Sequence, residues 1–296
     1  MGLLSGLGNL GLGDMEEVTI IEDKKQEKKK DEPVVEKTPE ELELEAIFER
    51  TVTCPVCDQQ FKIKTMRPGK AKLEGTDTDL RPRYEKMDPI KYDAIACNLC
   101  GYAALTKYFP RLASRQMHDI KEQIQPHFKG YDTHDGIYTY DDAIMRYKLA
   151  LVTTVVKKAK NSERAYTALK LAWVLRGKRE TFKDNVMKQK EAEALLKDEL
   201  EALQVAFDGF NIALSKESPP IANMDENTVM YLIAELARRL KKYDEASRLC
   251  GMVLTNKNTQ PRLKERAYDL KEMIQAEMKK AKEEQGDAKS EDGKEE

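Results

Sequence analysis

The sequence predicts a mainly α fold, in which a small β-containing module precedes a longer α-helical domain and both termini are disordered. Three observations lead to this prediction. Two Cys-x-x-Cys pairs bracket short β-prone segments, apolar residues recur at helical spacing through residues 111–284, and charged low-complexity runs occupy the two ends. Apolar residues three and four positions apart are typical of amphipathic helices, whereas such charged runs cannot bury a core. We therefore divide the chain into residues 1–37, 38–110, 111–284 and 285–296.

The charge composition limits the classes of protein to which the chain can belong. Charged residues make up 35% of the 296 residues, but 51 Lys and Arg nearly balance 53 Asp and Glu. The formal net charge of −2 excludes a globally basic nucleic-acid binder, although local patches stay open. No run approaches the ~18 apolar residues of a membrane span, and no secretory signal is evident, so we expect no membrane association. Five cysteines are few for a disulfide framework, which favours a cytoplasmic protein with reduced thiols.

Residues 1–37 are predicted to form a disordered leader, because the Lys- and Glu-rich run at 23–37 cannot bury a core. Five leucines nevertheless cluster near its start, namely Leu3, Leu4, Leu7, Leu10 and Leu12. We interpret them either as a docking peptide that folds in the groove of a partner or as a floppy leader. The Gly-x-Gly-x-x-Gly pattern at residues 6–11 follows no strand, so it does not predict a dinucleotide site.

A first helix is predicted to begin at Thr38. Thr38 and Glu41 have the spacing of a capping box, and Pro39 suits the first turn. The apolar side of this helix extends to about Arg50 and consists of Leu42, Leu44, Ile47 and Phe48.

Short β-prone segments replace the helical pattern between this helix and residue 110. They are found at residues 61–65 and 92–96, with turn residues between them. Lys62 and Lys64 flank Ile63, which is the alternation of a half-exposed strand. The segment is therefore predicted to be a small β-containing module.

Two Cys-x-x-Cys pairs, Cys54 with Cys57 and Cys97 with Cys100, are the strongest chemical feature of this module. A pair at this spacing lets two thiolates converge on one ion from a tight turn, and two pairs complete a tetrahedron with Zn–S bonds of about 2.3 Å. Gly101, directly after the second pair, suits such a turn. Four thiolates leave no open coordination position, so the sequence predicts one structural zinc ion held by all four cysteines.

The spacing between the two pairs is unusual for a zinc ribbon. They are separated by the 39 residues 58–96, whereas common ribbons have roughly 15–20 residues there. We therefore expect a hairpin insertion and describe residues 38–110 as a zinc-ribbon-like module. A thioredoxin-type redox site is the alternative, although such a site would have a single pair beside a βαβ pattern. A disulfide pair is disfavoured, because disulfides seldom persist in the cytoplasm where we expect the protein.

A longer series of residues around the two pairs resembles a known family. The series consists of Cys54, Pro55, Val56, Cys57, Phe61, Lys62, Asp77, Thr78, Asp79, Arg81, Tyr84, Pro89, Tyr92, Asp93, Cys97, Cys100, Gly101, Tyr102, Ala103, Ala104 and Phe109. Over residues 45–255 the chain is similar to an uncharacterised bacterial family, a domain of unknown function (DUF) with two such knuckles before a tetratricopeptide-like helical region. The resemblance implies no activity, because the family has none assigned. Asp58 and Asn98 depart from its pattern, which often has Gly and Pro there.

Two carboxylates and one histidine are further candidates for a functional site. Asp77 and Asp79 share one side of an extended segment. They form either a pair for a second cation or acid–base chemistry, or turn residues that pair with Arg81 or Arg83. His134 is a candidate titrating or metal-binding group in a predicted loop, and a solvated loop histidine is the alternative.

The segment after residue 110 is predicted to be a helical domain. Its helices are expected near residues 111–127, 139–160, 162–180, 185–216, 225–241, 243–257 and 261–284. Thr139 and Asp142 resemble a capping box. Residues 225–258 carry a tetratricopeptide (TPR) signature, with Ala246 as the small residue at the helix contact, but the uneven spacing of such residues favours divergent TPR-like repeats. Cys250 is expected in the core and not as a fifth ligand.

Apolar residues in the helix at 185–216 alternate spacings of four and three. They are Leu196, Leu200, Leu203, Phe207, Phe210 and Leu214. Such a pattern is typical of a coiled-coil seam. We interpret it either as intramolecular packing or as a dimer seam through residues 196–214.

Three classes of function stay open at this point. The first is a non-enzymatic zinc-binding scaffold or adaptor, whose helical-repeat surface binds a protein or peptide partner. The second is a nucleic-acid-binding zinc-ribbon protein, since residues 51–110 contain ten basic and seven acidic residues. The third is an enzyme with an unrecognised site around Asp77, Asp79 and His134, although the common nucleotide, metalloprotease and hydrolase motifs do not occur. We favour the first class.

Overall fold

The computed structural model describes residues 37–183 and 185–292, and from Thr38 onwards these residues form one compact unit. The predicted leucine cluster of the leader and residues 293–296 lie outside the described residues. A mainly α fold with a small β-containing region is confirmed. The α-helices are α1 (Pro39–Ala46), α2 (Ser114–Gln123), α3 (Tyr140–Val156), α4 (Asn161–Glu180), α5 (Gln189–Lys216), α6 (Glu226–Arg239), α7 (Tyr243–Thr255) and α8 (Pro261–Asp292). The β-strands are β1 (Ile47–Thr53), β2 (Gln60–Met66), β3 (Leu73–Thr76), β4 (Pro82–Tyr84), β5 (Ala94–Ala96) and β6 (Ala103–Leu105).

The strands form three antiparallel hairpins, β1–β2, β3–β4 and β5–β6. The first hairpin pairs the whole of β1 with β2, from Ile47 opposite Met66 to Thr53 opposite Gln60. The first cysteine pair occupies the turn between β1 and β2, and the second occupies the turn between β5 and β6. The hairpin β3–β4 therefore lies within the insertion that the long spacing of the pairs predicts.

The first helix is shorter than predicted. Its capping box is confirmed, since the backbone N–H of Thr38 donates to Glu41 Oε2 at 2.8 Å. The helix ends at Ala46, however, and not near Arg50. The following residues form β1, because β-branched side chains favour an extended chain and every residue of the segment has a partner in β2.

The predicted strand at residues 92–96 is also shorter in the structure, where only Ala94–Ala96 is extended. A 3₁₀ turn over Pro89–Tyr92 precedes it. The carboxylate of Asp88 caps this turn by accepting the backbone N–H of Ile90 at 3.2 Å. Pro89 suits the first position of such a turn, which explains why the chain turns there before it becomes extended.

One residue departs from the alternation predicted for β2. Lys62 is exposed, as expected, but Lys64 is only 7% exposed. Its Nζ donates to the backbone carbonyl of His134 and lies over the ring of Tyr138, 5.1 Å from the centroid. The loop after α2 therefore covers the side of β2 that the sequence assigns to solvent.

The predicted helices after residue 110 are present, and they differ from the predictions mainly at their ends. The helix predicted at 111–127 is interrupted near Pro126, which lacks a backbone N–H, and a 3₁₀ turn over Gln125–His127 follows α2. α8 continues to Asp292 through most of the predicted tail, because that segment is rich in helix-forming residues. None of the described helices is both long and apolar enough to cross a membrane.

Each helix from α3 to α8 packs mainly on its neighbours in sequence. The predicted seam of α5 is divided by this packing. Leu203, Phe207 and Phe210 are buried in the intramolecular core, whereas Leu196 and Leu200 are 41% and 38% exposed. The intramolecular interpretation therefore accounts for the buried half of the seam.

The hydrophobic core continues from the helices into the cysteine-bearing region. Ile90, Ala94 and Leu105 pack in the same cluster as the inner faces of α3–α8. Cys250 is 1% exposed in this core, and its thiol donates to the carbonyl of Ala267 at 3.0 Å, which confirms its predicted packing role. This core extends across residue 110 and so gives no boundary there. The division into domains at that residue stays a prediction.

The turn at the end of the β3–β4 hairpin docks on the helices through a buried ion pair. Asp79 is fully buried, and its Oδ2 accepts from Arg176 Nη2 of α4 at 2.6 Å and from Trp173 Nε1 at 3.1 Å. Arg176 in turn donates to Glu199 of α5 at 2.7 Å. Burial raises the pKa of Asp79, but the nearby Arg176 and Arg239 hold that pKa below its usual value. Asp79 is therefore an ionised, structural carboxylate.

Thr78 extends the same contact to α6. Its backbone carbonyl accepts from the Tyr231 hydroxyl at 2.9 Å, and its Oγ1 donates to Glu235 Oε1 at 2.6 Å. Arg239 donates to Thr78 Oγ1 at 3.1 Å and to Glu235 at 2.7 Å. The carbonyl and the hydroxyl of Thr78 thus both have helical partners, whereas Asp79 Oδ1 is buried without a hydrogen-bond partner.

Replacement of Asp79 by Asn tests the importance of this docked turn. The substitution removes one of the two buried carboxylates that neutralise Arg176, the other being Glu199, so we expect Asp79→Asn to lower the free energy of unfolding by about 2–3 kcal/mol. Urea denaturation measures the change. The sequence has one tryptophan, so the fluorescence of Trp173 reports on the contact directly.

Asp132→Asn is the matched control for this experiment, since it removes the same charge from an exposed position. Surface substitutions of this kind change stability by about 0.5 kcal/mol or less. A loss for Asp79→Asn that is no larger than the loss for Asp132→Asn would show that the ion pair does not hold the turn.

Candidate metal centre

The two cysteine pairs form knuckles with the same backbone geometry. In the first, the N–H of Cys54 donates to the carbonyl of Gln59 at 2.9 Å, and the N–H of Asp58 donates back to Cys54 at 2.9 Å. In the second, the corresponding bonds join Cys97 with Tyr102 (2.8 Å) and Gly101 with Cys97 (3.0 Å). Each hairpin thus closes a tight turn that directs two thiols to the same side.

The four sulfur atoms meet at one point between these turns. All four lie within 4.8 Å of one another. The Sγ atoms of Cys54 and Cys100 are 3.6 Å apart, and those of Cys57 and Cys97 are 3.8 Å apart. A tetrahedron with metal–sulfur bonds of about 2.3 Å has edges of about 3.8 Å. The sulfur positions therefore fit one tetrahedrally bound ion.

The backbone around the sulfur atoms also fits thiolate ligands. The N–H of Val56 donates to the Sγ of Cys54 at 3.4 Å, and the N–H of Cys57 points to the same sulfur. In the second knuckle the N–H groups of Leu99 and Cys100 point to Cys97. These donors stabilise negative charge on sulfur, as in other sites where backbone amides face an anion.

The thiols interact so closely that their titrations depend on one another. Hydrogen bonds from Cys100 and Cys54 lower the pKa of the Cys97 thiol, whereas the hydrogen bonds of Cys100 with Cys54 and Cys97 raise the pKa of Cys100. Without a cation, one sulfur is thus favoured as a thiolate while its neighbours keep their protons. Four thiolates at these distances require a multivalent cation to balance their charge.

The sulfur cluster lies inside an apolar shell. Cys54, Cys97 and Cys100 are fully buried, and Cys57 is partly exposed. The side chains of this shell come from β2, β5, the segment after β6, and α2, and they are Phe61, Ile63, Ile95, Tyr102, Phe109, Ile120 and Ile124. The Tyr102 hydroxyl donates to the carbonyl of Phe109 at 2.8 Å, which fixes the chain that follows the second knuckle.

The other predicted candidates do not join this centre or form a second one. Asp77 accepts from Arg83 Nε at 2.8 Å, and Asp79 pairs with Arg176, so both carboxylates have structural partners. His134 lies in a different region, where its Nε2 is 2.8 Å from Asp142 Oδ2. Within residues 37–183 and 185–292, the four cysteines are the one group of three or more potential metal ligands brought together.

The pairing of Asp77 and Asp79 with arginines was one of the alternatives open from the sequence, but the identity of the arginine was only partly predictable. Arg83 follows Asp77 closely and was a candidate partner. Arg176 lies 97 residues after Asp79, and no local pattern indicates that pairing. The position of Arg176 directly after a run of apolar residues in α4 is the signal that the sequence offers. An arginine buried at such a position requires a nearby anion.

The fifth residue of each knuckle has a left-handed backbone conformation. Asp58 has a φ of 60° and Gly101 a φ of 78°. A Cβ added at Gly101 would lie 2.7 Å from a ring carbon of Phe128, so glycine is needed there both for its conformation and for space. Asp58 is exposed, and a short polar side chain is tolerated in this conformation.

Substitutions at these two positions should have unequal effects on stability. We expect Gly101→Ala to destabilise the metal-loaded protein by about 1–3 kcal/mol, because it adds both strain and a clash with Phe128. Asp58→Gly should change stability by less than about 1 kcal/mol, since relief of strain offsets the greater freedom of the unfolded chain. Urea denaturation of both variants measures this difference. Equal losses would contradict the different constraints on the two knuckles.

Comparison with known proteins places the chain in a family but gives it no activity. A family model described as "Uncharacterized protein conserved in bacteria (DUF2225)" matches residues 47–274. Neither the curated proteins nor the solved structures contain a significant match. The matched segment includes both knuckles, the β3–β4 hairpin and the helices that receive its turn. The chain therefore belongs to the DUF2225 family, the uncharacterised bacterial family that its series of motifs resembles.

Proposed function

We propose that the chain is a non-enzymatic zinc-binding scaffold, in which one structural zinc ion holds the two knuckles together and the helical surface binds a protein or peptide partner. The observation that carries this proposal is the convergence of four cysteine sulfurs in a closed, apolar site. A catalytic zinc site keeps a coordination position for water or substrate, whereas four thiolates fill the tetrahedron.

The chemistry of the ligands supports zinc as the metal. Four sulfur ligands in a tetrahedron are typical of zinc or of iron–sulfur centres. Sulfur–sulfur distances of 3.6 and 3.8 Å suit a single ion. The five cysteines form no disulfide in the structure, which supports a reducing compartment such as the cytoplasm and a zinc-ribbon-like role for the module.

The arrangement of the helices supports the binding of a partner. Sequential packing of α3–α8 is typical of helical-repeat proteins, which offer extended binding surfaces, and TPR-like repeats are part of this proposal. The turn of the β3–β4 hairpin already lies on α4 and α6, so these helices can hold an extended segment through Arg–carboxylate pairs. A second surface is exposed near the start of α5, where Leu196 and Leu200 follow the exposed Val186 and Met187.

The contacts of the basic residues favour a protein partner over a nucleic acid. Arg81 pairs with Asp88, Arg83 with Glu180, and Lys91 with Glu43. Lys64 and Lys107 are withdrawn from solvent as well, and burial lowers the pKa of both side chains. Half of the ten basic residues at 51–110 are thus paired or withdrawn, and the phosphates of a nucleic acid would have to compete with carboxylates at three of them.

The separation of the candidate catalytic residues supports a non-enzymatic role. Asp77 and Asp79 are paired with arginines of the docked turn, and His134 is paired with Asp142. A catalytic acid–base pair needs groups that share a reacting atom. Asp77 and Asp79 meet at Arg176, where each forms an ion pair, and His134 pairs with Asp142, so these contacts support structural roles.

Metal analysis tests the zinc site. We expect the purified full-length protein to contain about one zinc ion per chain. Cys97→Ser should lose the zinc and more than about 4 kcal/mol of stability, because the remaining thiols cannot complete the tetrahedron. Elemental analysis and thermal unfolding measure the two effects.

Cys250→Ser is the matched control, because Cys250 is buried away from the cluster and a serine hydroxyl can also donate to Ala267. This variant should keep a full equivalent of zinc. The zinc-ribbon interpretation would be wrong if Cys97→Ser retained both the metal and the stability of the wild type.

Substitution of the exposed leucines of α5 tests the proposed partner surface. A partner bound through apolar contacts should be recovered at least about tenfold less by the double variant Leu196→Lys with Leu200→Lys. Quantitative affinity capture with the tagged full-length protein measures recovery. Met252→Lys is the control, since Met252 is comparably exposed, at 46%, on α7. The proposal fails if no captured protein depends on the two leucines while both variants keep the wild-type melting temperature.

A further inference from the structure

A cavity of about 380 Å³ lies beside the second knuckle, away from the sulfur atoms. We call it the Arg146 cavity. It is bounded by β2, by the residues between Cys97 and Cys100, by the loop before α3 and by α3 itself, and the residues used below are Glu49, Lys62, Lys64, Asn98, Asp135, Tyr138 and Arg146. Its volume is within the range of sites for small molecules.

Arg146 is the most informative residue of this cavity. Its side chain is 4% exposed, and its guanidinium lies over the ring of Tyr138, 3.5 Å from the centroid. Asp142 is near enough for its charge to act on this guanidinium, but among the residues that the structure describes no carboxylate forms an ion pair with it, and its Nη1 has no hydrogen-bond partner. A buried cation without an anion is strongly unfavourable, and a buried donor normally has an acceptor. This guanidinium therefore indicates an anionic ligand.

Lys64 brings a second buried cation to the same cavity. Its Nζ donates to the backbone carbonyl of His134 and lies over the ring of Tyr138, the ring on which Arg146 also stacks. Neither contact supplies a negative charge. Burial lowers the pKa of Lys64, and the positive charge of Arg146 acts in the same direction, against the opposite effect of the nearby carboxylates Glu49, Asp142 and Asp135. An anion in the cavity would relieve the repulsion between the two side chains.

The carboxylates around the cavity act on these two cations without contacting them. Glu49 pairs with the exposed Lys62 at 3.4 Å, and Asp135 also lines the cavity. Together with Asp142 they contribute negative charge at Lys64, but among the described residues none of the three forms an ion pair with Lys64 or Arg146. The two buried cations therefore lack a contacting anion in a place where Coulomb interactions are weakly screened.

Asn98 adds a hydrogen-bond acceptor to this set. It lies between the cysteines of the second knuckle and lines the cavity, and its Oδ1 is buried without a hydrogen-bond partner. A ligand that satisfies all three side chains has anionic oxygens for Arg146 and Lys64 and a hydroxyl group for Asn98. A protonated phosphate oxygen or an alcohol on a phosphorylated molecule meets this requirement.

We propose that the Arg146 cavity binds a phosphate group, either as free phosphate or on a small organic molecule, through Arg146 and Lys64. A planar guanidinium can donate two parallel bonds to a phosphate, and an ammonium group adds a point charge. The aromatic ring of Tyr138 holds the guanidinium in place through stacking, so little conformational freedom is lost on binding. The site would lie outside the metal centre and is not part of its coordination.

Calorimetric titration and thermal unfolding of the full-length protein test this proposal. We expect saturable binding of inorganic phosphate and a melting temperature that rises in phosphate relative to chloride at the same ionic strength. Arg146→Gln should weaken phosphate binding by about tenfold or more, because charge-assisted hydrogen bonds are lost. Glycerol 3-phosphate is the second probe. Equal affinities indicate a site for free phosphate, and tighter binding of glycerol 3-phosphate indicates an organic phosphate.

Two further variants make the test decisive. Arg115→Gln removes the same charge from an exposed position in α2 and should bind phosphate like the wild type. Lys64→Met keeps the stacked guanidinium and should also weaken binding, so it decides the question if Arg146→Gln does not fold. The proposal is overturned if the wild type binds neither phosphate probe saturably. It is also overturned if Lys64→Met and every folded Arg146 variant bind phosphate as tightly as Arg115→Gln.

Discussion

The requirement that four sulfur atoms meet at one point determines most of the architecture. Cys57 and Cys97 are separated by 39 residues, yet their sulfur atoms lie 3.8 Å apart. The intervening chain must therefore leave the centre and return to it. It does so as the β3–β4 hairpin, whose turn reaches the helices, and as the 3₁₀ turn and β5, which pack on them. The metal centre and the helical core are thus parts of one folding unit.

The docked turn between β3 and β4 binds to the helices through polar contacts. Asp79 provides an anion for Arg176 beside that of Glu199, and Thr78 satisfies polar groups of α6. Because the interior is apolar on either side, these polar contacts define a single position for the turn, whereas hydrophobic packing alone would permit several. Arg146 shows the contrasting case, since among the described residues no carboxylate forms an ion pair with its buried guanidinium.

The sequence predicts those features that depend on local chemistry. Two Cys-x-x-Cys pairs have few uses, and helical periodicity and capping boxes act over three or four residues, so the knuckles and helices were predictable. The end of α1 was not predictable, because Ile47 suits either a helix or a strand. Its pairing with Met66 places it in a strand. The partner of Asp79 and the burial of Lys64 depend on residues 97 and 70 positions away. No alternation or spacing encodes such contacts.

Because the docked turn and its partners lie far apart in the chain, their contacts form late during synthesis. Both knuckles are complete once residue 101 has left the ribosome, so a metal ion can fasten them early. Thr78, in contrast, needs the Tyr231 hydroxyl, which is made 153 residues later. A translating chain that stops before α6 can therefore hold the turn through Arg176 and Trp173 of α4, but the carbonyl and hydroxyl of Thr78 still lack their partners. Synthesis of α6 adds these partners and completes the docking of the turn.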